Sequence, residues 1–228
     1  MKVLIFGHSK NKIEDIVKKA GFTIVRKNPE FIISYGGDGT LMRSEFEFPG
    51  IPKIVLKNSR ICKTCCQLPN AEILKRIKNN QFTIKEFWKL EGVINKKNSK
   101  PTHALNEIVV HNKNPQHCIR YKIFVDNKEL GKEIIGDGVV LATPFGSTAY
   151  YRSITDSFFE VGIGLAFNNS TEQSDHVVLK EDRKIKLKIT RGPAIVYADN
   201  QTNILEADKG DEIFIKKSSQ VAKIVSVD

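Results

Sequence analysis

A glycine-rich turn with one carboxylate at its centre is the first feature of this sequence that could carry out chemistry. The stretch FIISYGGDGTLMR places Asp38 after an apolar run, flanked by Gly36, Gly37 and Gly39. Residues without a Cβ let the backbone adopt positive φ and lie close against a ligand. The turn follows the end of a predicted strand and precedes a predicted helix, where free N–H groups can bind phosphate.

The charge of Asp38 indicates that this turn does more than bind phosphate, because a carboxylate repels phosphate. Asp38 can act as a general base that takes a proton from an attacking hydroxyl, or as a ligand for Mg²⁺. The structural alternative is a tight turn in which the carboxylate is only solvated.

A second candidate is the pair Asn106-Glu107 within the β-type run HALNEIVVH. Adjacent residues of a strand project to opposite faces, so one of the two side chains would face inward and need a partner. An asparagine offers one donor and one acceptor group, which matches an adenine edge. The alternatives are a strand-end turn or a satisfied polar residue in the core.

The third candidate is the segment GDGVVLATPFGSTAYYRS, which begins with Gly136-Asp137-Gly138. Its Ser147 and Thr148 precede a predicted helix, where small hydroxyls either cap the helix or bind a polar ligand.

The three motifs in this order resemble the NAD kinase family, which phosphorylates the adenosine 2′-hydroxyl of NAD to make NADP. The turn Gly36-Gly37-Asp38-Gly39-Thr40 alone is shared with lipid kinases and phosphofructokinase-type kinases. The Asn-Glu pair and the STAY segment are what point to NAD kinases. The resemblance implies an α/β domain followed by a β-rich domain.

Carried over residue by residue, the resemblance makes Asp38 the catalytic base. It places Gly36, Gly37, Gly39 and Thr40 along the phosphate path. It assigns NAD binding to Asn106 at the adenine, Glu107 in support, Asp137 at a ribose or the nicotinamide end, and Thr148, Ala149 and Tyr150 along the pocket. Weaker matches are Asn58, Ser147, Asp199 and Gln201.

The chain also departs from the family pattern. KNSRICKTCC stands where the family has a second glycine-rich turn, and Phe145 replaces a residue that is usually Thr or Ser. These changes are typical of a compact, divergent member.

Periodicity divides the chain into two predicted domains. Residues 1–88 alternate apolar runs with helical patterns, which predicts an α/β domain with a mostly parallel sheet and Asn70 as a helix N-cap. Residues 89–228 contain short β-branched and aromatic runs separated by turns such as Asp126-Asn127 and Lys209-Gly210. They predict an all-β, sandwich-like domain that binds the dinucleotide.

The formal charge of +10 fits either a lysine-rich solvated surface or attraction to small phosphorylated ligands. No nucleic-acid-binding motif and no apolar run of transmembrane length is present, so we expect a cytoplasmic protein without nucleic-acid or membrane partners.

Three of the four cysteines lie in ICKTCCQ. Cys62 and Cys65 have C-x-x-C spacing, and a histidine such as His103, His111 or His117 could complete a zinc site. Because a second closely spaced pair is missing, we expect reduced thiols and no metal held by a protein cage.

The leading hypothesis is a homo-oligomeric NAD kinase that uses ATP or polyphosphate with Mg²⁺ and NAD as acceptor. The alternatives are a lipid or other small-molecule kinase with the same glycine turn, and a non-catalytic NAD(P)-binding sensor.

Overall fold

The computed structural model describes residues 1–171 and 175–227. They form two compact units, one comprising Met1–Phe87 with the segment that begins at Gln220, the other Trp88–Ser219. The sequence analysis assigned residues 89–228 to a single domain, whereas the end of the last strand belongs to the first unit. The local sequence does not indicate that the end of the chain joins the first unit, because strand pairing depends on residues far apart in the chain.

The first unit is a parallel sheet with helices. Its strands are β1 (Lys2–Phe6), β2 (Thr23–Ile24), β3 (Phe31–Gly36) and β4 (Lys53–Lys57), and its helices are α1 (Glu14–Lys19), α2 (Asp38–Glu47) and α3 (Asn70–Lys78). The strand order is β2-β1-β3-β4, and Ile224 near the end of the chain pairs in parallel with Lys53 of β4. Apolar residues of the strands and of α1 and α3 form one core.

The second unit is built from antiparallel strands. These are the end of β5 (Thr83–Ile94), β6 (Thr102–Ala104), β7 (Glu107–Asn112), β8 (Ile119–Val125), β9 (Lys128–Gly136), β10 (Gly138–Ala142), β11 (Ile163–Asn168), β12 (His176–Leu179), β13 (Ile185–Arg191), β14 (Ala194–Ala198), β15 (Leu205–Ala207) and the start of β16 (Glu212–Ser226). The short helix α4 (Tyr150–Thr155) follows a 3-10 turn at Gly146–Thr148.

Two sheets enclose the core of this unit. One has the order β12-β11-β10-β7-β14-β15, and the other contains the start of β16 followed by β13, β8 and β9. Side chains from both sheets, including Ile108 and Val139 on one and Tyr121 and Leu187 on the other, form a single apolar cluster. The predicted α/β and sandwich-like fold classes are therefore confirmed. Within the described residues, no helix is long and apolar enough to cross a membrane.

Two predictions about local conformation are wrong. Asn70 is the first residue of α3 and Pro69 is the N-cap, while the Asn70 side chain bonds both backbone groups of Lys57, at 3.1 and 3.0 Å. The glycines of the GGDGT turn do not have positive φ; Gly37 is extended, with φ −122°.

A buried ion pair fixes the position of α2. Glu45 near the end of the helix bonds the ammonium group of Lys53 at the start of β4, and the two side chains are 3% and 0% exposed. The ammonium group also donates to the carbonyls of Phe48 and Ile51, at 2.6 and 2.7 Å. The backbone N–H of Gly50 donates to the other carboxylate oxygen of Glu45. Both charged groups are therefore hydrogen-bonded within the protein.

We expect Glu45→Gln to lower the free energy of unfolding by about 3–5 kcal/mol, because the charge of Lys53 would remain buried and uncompensated. Urea unfolding of the two proteins measures the difference. Glu47→Gln is the matched control, since Glu47 pairs with Arg43 on the surface of the same helix and should change stability by less than about 1 kcal/mol. Equal losses in the two variants would show that the buried pair contributes little.

Candidate active site

The glycine turn places Asp38 at the first position of helix α2, directly after strand β3. Gly37 is the N-cap, and its carbonyl accepts the N–H groups of Thr40 and Leu41 at 2.9 and 3.2 Å. A carboxylate in the first helical turn interacts favourably with the helix dipole.

Close packing explains why the turn requires glycine. A Cβ on Gly36 would lie 2.1 Å from the hydroxyl oxygen of Thr40, and one on Gly37 would lie 3.0 Å from Cβ of Ser59. Thr40 therefore packs against the turn from within the helix. Asn58, the predicted substitute for a family asparagine, is exposed, and its backbone N–H donates to the carbonyl of Gly36 at 2.9 Å.

The loop that replaces the second glycine-rich turn closes over the carboxylate of Asp38. The backbone N–H groups of Lys63 and Thr64 donate to its two oxygens at 2.8 and 3.0 Å, and the Thr64 hydroxyl donates to the second of them. Burial by itself would raise the pKa of Asp38. The hydrogen bonds from Thr64 and Lys63 more than offset that effect, so the pKa lies below its ordinary value. Asp38 is therefore ionised at neutral pH.

The expectation of reduced thiols in this loop is wrong for Cys62 and Cys65, which form a disulfide. Their Cα atoms are 5.4 Å apart, within the range that a disulfide spans. Cys66 and Cys118 are free. Among the described residues, no group of three His, Cys, Asp or Glu side chains could hold a metal ion.

In the second unit, Asp199 organises the segment that carries Asn106. Its carboxylate accepts the consecutive backbone N–H groups of Leu105, Asn106 and Glu107, at 2.8, 2.8 and 3.1 Å. These three bonds hold a bend between β6 and β7, whereas the sequence predicted a continuous strand through Asn106. Gln201, the other member of this motif, bonds the hydroxyl of Thr102 and the carbonyl of His103.

Thr143 attaches the TPFGSTAY segment to the same bend. Its hydroxyl donates to the carbonyl of Leu105 at 2.6 Å and accepts the N–H of Gly146, while its own N–H donates to the carbonyl of Asn106. A Cβ on Gly146 would lie 2.3 Å from the carbonyl oxygen of Asn106, so only glycine fits there. The sequence analysis did not single out Thr143, although its position between a buried strand and a proline was a usable signal.

Asn106 and Glu107 are both buried, and both have polar atoms available. Asn106 is 7% exposed, and its side-chain amide has no hydrogen-bond partner among the described residues. One carboxyl oxygen of Glu107 likewise has no hydrogen-bond partner within residues 1–171 and 175–227. Burial, followed by the charge of Asp199, raises the pKa of Glu107 to about 8. The side chain of Glu107 is thus mainly protonated at neutral pH and can donate a hydrogen bond.

A second polar cluster surrounds Asp137, in the turn between β9 and β10. Asn112 and Asn169 donate their side-chain amides to its two oxygens at 3.0 and 2.9 Å. The neighbouring Asn168 donates to the hydroxyl of Tyr150 at 3.1 Å. The sequence analysis missed these three asparagines, which lie near the ends of strands far apart in the chain.

The remaining predicted site residues lie in the turn before α4 and at the first position of that helix. Thr148, Ala149 and Tyr150 are half-buried. Ser147 is 1% exposed and its hydroxyl donates to the carbonyl of Pro144 at 2.8 Å, which is a structural bond. The second unit thus brings most of the predicted NAD-binding residues into two connected clusters, whereas Asp38 and the glycines belong to the first unit.

The sequence profile of the ATP-NAD kinase C-terminal domain matches residues 105–227, more than half of the chain. This chain belongs to the NAD kinase family. The matched region begins at the bend held by Asp199 and includes the predicted NAD-binding residues, but not the turn of Asp38.

Individual NAD kinases agree with this assignment. The NAD kinase of Sulfurisphaera tokodaii is 28% identical over 228 residues, covering 93% of this chain and 87% of that protein. A bifunctional NADP phosphatase/NAD kinase of Methanocaldococcus jannaschii is 30% identical over 205 residues, covering 85% of this chain. The chain spans only 35% of that relative's length.

A solved NAD kinase from Archaeoglobus fulgidus, in complex with ATP, has the same fold. Its TM-score is 0.80 at 24% sequence identity, and the match covers 98% of this chain and 93% of that one.

The raised pKa of Glu107 predicts a dependence of stability on pH. Because the folded-state pKa of about 8 exceeds the ordinary 4.5, the stabilising contribution is complete below about pH 4.5 and is lost as the pH rises through 8. We expect wild-type protein to lose on the order of 3 kcal/mol more than Glu107→Gln between pH 5 and pH 8. Urea unfolding of both proteins at the two pH values measures this difference; parallel losses would mean that Glu107 is ionised in the folded state.

Proposed function

We propose that this protein is an NAD kinase, which transfers a phosphoryl group from ATP or polyphosphate to the adenosine 2′-hydroxyl of NAD and produces NADP. The observation that carries the proposal is the ionised Asp38 at the start of a helix in the GGDGT turn. A site that only bound phosphates would gain nothing from a carboxylate there. Membership of the NAD kinase family and the buried, unpartnered amide of Asn106 support the same assignment.

In this mechanism Asp38 accepts the proton of the 2′-hydroxyl as the oxygen attacks the terminal phosphorus of the donor. Phosphoryl transfer depends mainly on positioning and on stabilising charge. Thr40 and the glycines form the close-packed backbone beside which both substrates approach. Asn106 holds the adenine, Glu107 supports the site as a hydrogen-bond donor, and Asp137 and the Thr148–Tyr150 segment hold the rest of the dinucleotide.

Mg²⁺ would accompany the donor and neutralise its phosphate charges. It needs no cluster of protein ligands, because it retains several waters and binds mainly through substrate phosphates. The ionised carboxylate of Asp38, at the start of α2 in the glycine turn, is the protein group that would contact this ion. We further propose a cytoplasmic homo-oligomer, whose subunit number light scattering would measure.

A non-catalytic NAD(P)-binding sensor is the second candidate, and one observation favours it. Asp38 already accepts three hydrogen bonds from Lys63 and Thr64, which limits its access to a substrate. Incubating the purified protein with NAD, Mg²⁺ and either ATP or polyphosphate separates the two candidates. An NAD kinase forms NADP, whereas a sensor binds NAD without turnover.

We expect Asp38→Asn to lower kcat by at least about 10², because the amide keeps the shape of the side chain but removes the base. The KM for NAD should stay within a few-fold of wild type. Asp15→Asn, an exposed change in the first turn of α1, is the control and should leave kcat unchanged. A coupled assay of NADP formation measures both. If kcat of the Asp38→Asn protein stays within tenfold of wild type, Asp38 is not the base.

We expect Asn106→Ala to raise the KM for NAD by roughly 5- to 150-fold, the equivalent of the 1–3 kcal/mol lost when a hydrogen-bonding site is left half empty. The KM for the phosphoryl donor should change much less. Asn203→Ala is the matched control, because this asparagine is exposed in the same unit. An unchanged KM for NAD would restrict Asn106 to a structural role.

A further inference from the structure

The loop that bonds Asp38 is itself closed by a disulfide. Lys63 and Thr64, which donate all three of the hydrogen bonds described above, are the two residues enclosed between Cys62 and Cys65. The sulfur of Cys62 also lies 3.5 Å from Oδ1 of Asp38. The cross-link therefore restricts the backbone of Lys63 and Thr64, which donate hydrogen bonds to the carboxylate of Asp38.

Most of this loop is exposed to solvent. From Asn58 to Thr64, Cys62 is the single buried residue; Ile61 is 77% exposed, and Lys63 is exposed as well. Ordering several residues has a conformational free-energy cost comparable to the net gain from a few hydrogen bonds. With the cross-link broken, residues 62–65 gain conformational freedom, which opposes the three hydrogen bonds to Asp38.

Asp38 is poorly suited to act as a general base while its carboxylate accepts these three hydrogen bonds. An ionised carboxyl group has about four acceptor positions, and the loop fills three of them on Asp38. A base that must accept a proton from a substrate hydroxyl needs a free position with direct access. The hydrogen bonds also hold the pKa of Asp38 below its ordinary value, which weakens it as a base.

We propose that Cys62 and Cys65 are a reversible redox site that controls Asp38. In the disulfide form Lys63 and Thr64 stay against the carboxylate and the enzyme is held in a low-activity state. In the dithiol form the loop opens and Asp38 is free to act. The effect on turnover rests on the proposed kinase function, whereas the effect on the loop does not.

The chemistry balances with a dithiol as reductant. One thiolate of the reductant attacks a sulfur of the disulfide, the Cys62–Cys65 bond breaks, and a mixed disulfide forms. The second thiolate of the reductant then attacks that bond and leaves as a cyclic disulfide. Two electrons and two protons pass to the protein, which gains two thiols. The neighbouring Cys66 and Thr64 line a cavity of about 250 Å³ within the first unit, which gives the opened loop room to move.

The first test measures the loop directly, with protein oxidised by diamide and protein reduced by dithiothreitol. We expect the amides of Lys63 and Thr64 to exchange with deuterium at least about tenfold faster in the reduced form, as for a locally opened segment. The amide of Leu56 in β4 is the control and should exchange equally in both forms. Equal exchange of Lys63 and Thr64 in the two forms, or failure of diamide to join Cys62 and Cys65, overturns the proposal.

The second test measures NADP formation by the same two forms. We expect the reduced form to be at least about tenfold faster, because it regains a general base. The double variant Cys62→Ser with Cys65→Ser should be fast with or without dithiothreitol. Cys66→Ser, the control that leaves the pair intact, should keep the wild-type response to dithiothreitol.

The two tests fail in distinguishable ways. If the oxidised and the reduced protein both form NADP at the same rate, the proposed redox control is wrong and the kinase assignment stands. If neither form makes NADP, the kinase assignment fails, and the deuterium exchange of Lys63 and Thr64 still decides whether the pair controls the loop.

Discussion

Backbone N–H groups outside helices and strands need acceptors, and this constraint shapes the surroundings of Asp38 in the first unit and of Asp199 in the second. Asp199 accepts three consecutive N–H groups and thereby creates the bend that sets Asn106 apart from strand β7. Thr143 bonds the opposite side of that bend, so the TPFGSTAY segment depends on the same carboxylate. The bend and the segment attached to it are thus linked through one carboxylate and one threonine.

Asp199 and Asp38 both accept backbone N–H groups, but their pKa values shift in opposite directions because the two side chains differ in burial. Asp199 is almost completely buried, and desolvation raises its pKa to about 6 despite three backbone hydrogen bonds. Asp38 is only partly buried, so its hydrogen bonds prevail and its pKa falls. Both carboxylates are therefore mainly ionised at neutral pH, but Asp199 is enclosed by the backbone that it organises, whereas Asp38 remains partly exposed in its turn.

Rigid neighbours keep these carboxylates in place. The Lys53–Glu45 pair ties the end of helix α2 to strand β4, so the helix that begins at Asp38 is fixed at its other end. Glycines at positions 36 and 146 allow backbone segments to approach more closely than any side chain would permit. The sequence analysis explained the glycines of the GGDGT turn by positive φ and close approach to a ligand. The structure shows a further reason for Gly36, which is its contact with Thr40 one helical turn away.

The sequence by itself determined the two fold classes, the family and the candidate residues, because apolar periodicity and short motifs are local properties of the chain. It did not determine that the end of strand β16 joins the first unit, that Asn106 lies in a bend, or that Asn112, Asn168 and Asn169 surround Asp137 and Tyr150. It also did not reveal that Lys63 and Thr64 close over Asp38 under a disulfide. Each of these features depends on contacts between residues that are distant in sequence, or on burial that changes a pKa, and only the tertiary structure decides which residues meet.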